Sequence, residues 1–90
     1  MSREIGPLPV IETGETTLIA LLPGELTPMT THQGQVSRDR AGLRVRTPEV
    51  TLLFDLRAER ALRAASRLLL IEAEGDQGRL LGELTLVWDL

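Results

Sequence analysis

The chain has 90 residues, 42% of them hydrophobic, and a net charge of −3, which fits one small folded domain and excludes a two-lobed enzyme with a deep cleft. Cysteine, lysine and tyrosine are absent, which excludes disulfide and thiolate chemistry, a Schiff-base or P-loop lysine and a tyrosine acid. Asparagine is absent too, and all four residues have AT-rich codons. The composition therefore reads as that of a very GC-rich genome, with a designed or reduced-alphabet sequence as the alternative. Phe54 and Trp88 are the only aromatic residues, so the core must be aliphatic.

Residues 1–14 gather Gly6, Pro7, Pro9 and Gly14 around Val10-Ile11. They predict an extended or flexible lead with one short edge strand, because proline cannot donate to a ladder. A single β-barrel domain then spans 15–90. Thr16 to Leu22 is β-branched and apolar and is stopped by Pro23-Gly24, which predicts a short strand laid over a sheet edge. Glu25 to Met29 has no clear period. Beyond Thr31, Val36, Leu43 and Val45 are interleaved with Gln35, Arg44 and Arg46. That alternation predicts strands over about 32–38, 43–47 and 50–55, with a turn at Asp39-Arg40-Ala41-Gly42.

Residues 56–74 admit two readings. Asp55 is a good N-cap, and the alanine, leucine, arginine and glutamate that follow favour a helix that could run to Glu74. One continuous helix would, however, carry Leu68-Leu69-Leu70-Ile71 all the way round its surface. The preferred reading stops the helix near residue 65, makes 67–73 a strand, and places a turn over Glu74 to Gly78 before a last strand over 80–88. Three strands, a short helix over about 56–65 and a hairpin give a mainly β fold, a small OB-like barrel of five to six strands.

The chemistry available is sparse. His32 is the only histidine, and Ser2, Ser37 and Ser66 lie in no nucleophile elbow. Glu72, Glu74 and Asp76 alternate along a strand end and lack the loop spacing of a calcium site. The glycines form neither a dinucleotide nor a phosphate cradle. No catalytic residue, cofactor or metal is expected, and the chain does not read as an enzyme. No stretch reads as a signal sequence or reaches the roughly 20 apolar residues of a membrane span, so a cytoplasmic location is expected.

The charge is unevenly spread: −3 over residues 1–31, +4 over 32–67 and −4 over 68–90. Arg38, Arg40, Arg44 and Arg46 form the densest cationic cluster, and Arg44 and Arg46 project to one face of a strand. This hairpin face, with Trp88 as an interface anchor or a core residue, is the candidate binding surface. The expected function is a non-catalytic protein-interaction or assembly module working through strand edges and the arginine face, with a protein partner or self-association. One alternative is an OB-type single-stranded nucleic-acid binder, disfavoured by the acidic whole and the scarcity of stacking rings. The other is a structural or designed domain without a ligand.

The segments Leu22-Pro23-Gly24-Glu25-Leu26, Gln35-Val36, Leu43 to Pro48, Thr51 to Phe54 and Leu62 to Leu70 resemble a β-barrel-like pattern of flagellar hook-length control proteins from GC-rich bacteria. The similarity covers about residues 20–73. Val50 stands where that pattern has glycine, and Arg63-Ala64-Ala65 replaces a Pro-Pro-Gly turn. The resemblance implies a non-enzymatic module of a secretion or flagellar assembly and carries over no catalytic residue.

Overall fold

Runs of leucine, valine and isoleucine broken by glycine, proline and aspartate leave most of this chain extended. The computed structural model describes residues 3–14, 16–24, 32–74 and 77–88. Its strands are β1 (Arg3–Ile5), β2 (Val10–Glu12), β3 (Thr17–Leu22), β4 (His32–Asp39), β5 (Gly42–Arg46), β6 (Val50–Phe54), β7 (Arg67–Glu74) and β8 (Gln77–Trp88). A 3-10 turn, Leu56–Ala58, leads into the short helix α1, Glu59–Ala64. The ambiguous Glu25 to Met29 segment lies outside the described residues, as do Gly75 and Asp76 of the turn expected over Glu74 to Gly78, whose Glu74, Gln77 and Gly78 belong to the strands.

The strands form one sheet in the order β1-β6-β5-β4-β8-β7-β3-β2, curled into a half-barrel. Eight strands exceed the five to six expected. The excess arises in the Gly/Pro-rich lead, whose two strands of three residues each are too short to display a period. The meander of β4, β5 and β6 is antiparallel, and Val36, Val45 and Leu52 stand side by side across it. The last strand returns parallel to β4, with Val36 opposite Trp88. β7 pairs antiparallel with β8 and parallel with β3.

The lead ties the two ends of the curl together. β1 runs parallel along β6, and β2 runs antiparallel along β3. Between them the chain changes partner within one peptide unit: Leu8 N–H donates to Leu53 C=O at 2.9 Å, and Pro9 C=O accepts from Leu21 N–H at 3.0 Å. Proline suits this crossover because it has no N–H to leave unsatisfied. Gly6 is required next to it. Its φ is +142°, and a Cβ there would sit 2.5 Å from Leu53 O, a combination only glycine tolerates.

The helix stops where the second reading placed its end. Ala65 leaves helical geometry at ψ 134°, and Ser66 N–H donates to Thr16 C=O at 2.6 Å. Tertiary pairing with β3 thus takes over from local helix propensity. Asp55 caps the preceding turn by accepting from Arg57 N–H at 2.9 Å.

Inside the curl, Leu18, Ala20, Leu22, Val36, Leu43, Val45, Leu52, Phe54, Leu68, Leu70, Leu81 and Leu84 make one core, joined by Ile5 and Leu8 from the lead and Leu62 from α1. Among the described residues no helix is long and apolar enough to cross a membrane.

Candidate functional site

The four clustered arginines fall into different surroundings. On β5, buried Leu43 and Val45 alternate with half-buried Arg44 and exposed Arg46, so Arg44 and Arg46 share the outer face of the sheet. Arg44 is tied down there: Nε donates to Asp39 Oδ2 at 2.6 Å, and Nη1 pairs with Glu4 of the lead. The Arg44 guanidinium holds the Asp39 carboxyl below the usual carboxylate range, helped by the Ala41 N–H, and Asp39 and Glu4 together raise the pKa of Arg44. Arg38 stands on the inward register of β4 at its end and reaches α1, where Nε lies 3.1 Å from Glu59 Oε1. Arg40 projects from the turn. Among the described residues Arg40 and Arg46 form no ion pair.

Arg46 is the exposed cation of a shallow recess of about 640 Å³ lined also by His32, Gln33, Gln35, Thr47 and Pro48. His32 Nε2 lies 2.9 Å from Glu49 Oε1. The arrangement offers hydrogen-bond donors from one guanidinium and two amides, a polar contact surface.

Trp88 is half-buried and packs against the core edge. The Arg63 guanidinium of α1 lies over its ring, 4.3 Å from the centroid, a stacked cation–π contact. The other aromatic, Phe54, is buried within the barrel. Phe54 is thus withdrawn from stacking on bases, and one face of Trp88 is taken by Arg63.

A surface that the arginine argument missed lies on the other half of the sheet. Cross-strand register places Ile11 beside Ile19 and Ile19 beside Leu69, and in the next row Leu21 beside Ile71 and Ile71 beside Leu80. All of these point away from the core, whose inward residues on the same strands are Leu18, Ala20, Leu22, Leu68 and Leu70. Ile11 is 46% and Leu80 60% exposed, and the others are half-buried. A bulge between Leu70 and Ile71 shifts the β7–β8 register, so Leu80 turns outward while Leu81 stays in the core. The signal was present as unbroken apolar runs, Leu18 to Leu22 and Leu68 to Ile71. A strand with such a run is apolar on both faces, as strands covered on both sides are.

One ion pair flanks this apolar area, and a second lies on the inner face of the same strands. Arg67 Nη1 lies 3.4 Å from Glu83 Oε1 beside Leu69, and Arg79 Nη2 lies 2.7 Å from Glu72 Oε2 on the inward register. Arg67 Nε also donates to Thr17 Oγ1 at 2.9 Å. Glu72 itself is inward-facing and 4% exposed. Asp76, the third member of the alternating carboxylates, lies outside the described residues, and among those described no group of metal-ligating side chains gathers.

Compared with family models, curated proteins and solved structures, the chain matches none.

Proposed function

We propose that this chain is a non-catalytic protein-interaction module of a larger assembly, and that it binds through the outer face of its curled sheet. The observation that carries this reading is the apolar area formed by Ile11, Ile19, Leu21, Leu69, Ile71 and Leu80. Contiguous apolar surface rimmed by polar groups marks a site of protein contact, because leaving it in water costs free energy that burial recovers. The arginine face adds orientation: Arg46, on the outer face of the neighbouring half, supplies a guanidinium for a carboxylate on the partner. Strand addition contributes less, since the edges of β6 and β3 are taken by the chain's own lead. An assembly role of this kind is also what the sequence resemblance to hook-length control proteins implies.

The test compares wild-type chain with Leu69→Ser/Ile71→Thr as immobilised bait in an extract of the source cells. A partner retained by the wild type and lost by the double variant, with both baits giving the same far-UV spectrum, is the expected result. Equal retention by both baits would place binding elsewhere.

A further inference from the structure

We propose that the cleft between β2 and α1 receives the C-terminal segment of a partner protein. The backbone of that segment adds to β2 as a further strand, and its terminal carboxylate is held by Arg57 and Arg60. The site is distinct from the outer apolar face and stands independently of it.

Topology creates the cleft. The lead covers the edges of β6 and β3, but the sheet order ends on β2, so past Pro9 the lead has an edge of its own on the side of β6 that it has left. Ladder geometry fixes which groups line that edge. Leu21 N–H donates to Pro9 C=O, which makes these two residues a hydrogen-bonded pair of the antiparallel ladder. Such pairs alternate along a ladder. Ile11 and Ile19 are therefore the next one, and the N–H and C=O groups of Val10 and Glu12 point away from β3. Among the described residues these groups have no hydrogen-bond partner. An edge of this kind is a template for another extended chain.

Across from this edge, the chain that leaves β6 turns through Leu56–Ala58 into α1. The cleft between them is about 450 Å³, with Glu12 and its register neighbour Leu18 on one wall and Arg57, Arg60, Ala61 and Ala65 on the other. That volume suits a few residues of peptide and no more. The charges divide by wall: a carboxylate on the strand side, two guanidinium groups on the helix side. Arg57 also pairs with Asp55, whereas Arg60 forms no ion pair among the described residues. A carboxylate entering the cleft is thus drawn to α1 and repelled from β2. A chain terminus meets all of these demands at once. It brings backbone groups for Val10 and Glu12, one carboxylate for the arginines and a last side chain for Leu18 and the alanines.

The test is an NMR titration of the isotope-labelled full chain with acetyl-Gly-Thr-Ala-Val and acetyl-Gly-Ser-Thr-Leu. Each peptide is used as the free acid and as the C-terminal amide, up to about 1 mM. The free acids are expected to shift the amide signals of Val10 and Glu12 and to slow their hydrogen exchange. The amides should bind at least about tenfold more weakly, the factor that one charge-assisted hydrogen bond commands. Glu12→Pro removes an outward N–H but no bond to β3, a place where an edge strand tolerates proline, and should abolish the response of Val10. Arg57→Gln/Arg60→Gln should reproduce the loss seen with the amides. Leu69→Ser/Ile71→Thr should bind the acids like wild type, which separates this site from the outer face. Free acids that leave β2 unmoved overturn the proposal, as do amides that bind equally well. If Glu12→Pro fails to fold, the double glutamine variant decides, and undiminished binding by it overturns the carboxylate assignment.

Discussion

Asp39 joins a turn to a charge network: its Oδ1 accepts from Ala41 N–H at 2.8 Å while its Oδ2 accepts from Arg44 Nε. These contacts depress its native pKa, and Asp55 is depressed in the same way by Arg57. A depressed carboxyl contributes stability that is fully present above its unfolded value, about 3.9, and lost as pH falls through the native value. Asp39→Asn, which keeps a turn acceptor but removes the charge, should therefore lower the urea midpoint at pH 7 and change it little at the acid end. A constant difference across that range would refute the linkage. At the same turn, Gly42 has φ +147°, and a Cβ would meet Phe54 O at 2.3 Å. Gly42→Ala should cost about 1–3 kcal/mol from backbone conformation alone, plus the contact with the carbonyl, readable in the thermal midpoint. Arg63→Ala should strip the guanidinium from the ring of Trp88 at a cost of about 0.5–1 kcal/mol. As the only tryptophan, Trp88 reports the change by a red-shifted emission, and an unmoved spectrum would count against the stacking.

At the scale of elements, α1 matters through one residue. Leu62 is its buried side chain, and Leu62→Ala should destabilise the fold by about 2–5 kcal/mol, whereas its exposed neighbour Ala64 should accept substitution freely. Chemical denaturation of the two variants separates a packed helix from a surface turn. The lead is the element of greater consequence. Ile5 and Leu8 enter the core, and the peptide between Leu8 and Pro9 links β6 to β3. Removing residues 1–12 takes away two buried side chains, each about 1.5–3 kcal/mol, and opens two strand edges to other chains. The shortened chain should melt at lower temperature and scatter light at concentrations where the full chain does not. An unchanged midpoint would mean that the lead adds nothing to the barrel.

For the whole molecule, the balance of charge and rings argues against polynucleotides as partners. The net charge is −3, Phe54 is buried and Trp88 is capped by Arg63. Fluorescence titration with a single-stranded oligonucleotide should give no salt-dependent binding at physiological ionic strength. Binding that weakens steeply with salt and disappears in Arg44→Ala/Arg46→Ala would reverse that conclusion. Much of the architecture was open to a reading of residues alone. The alternation of Val36, Leu43 and Val45 with polar neighbours dictated a β meander, and Asp55 with its alanine-rich sequel dictated that a helix follows β6. The absence of cysteine, lysine and tyrosine removed whole classes of chemistry. These are local properties, set by side-chain period, capping and composition. Three other features depended on tertiary contact. The helix ends at Ala65 because Thr16, just ahead of β3, offers Ser66 a partner. The lead becomes two strands because both ends of a curled sheet come within reach of it. Arg44 is neutralised because Glu4, forty residues earlier in the chain, folds beside it. The outer apolar face belongs to both levels: its leucines and isoleucines are plain in the sequence, but only strand register decides that they lie side by side and face outward, because a one-residue shift would exchange the two faces of every strand.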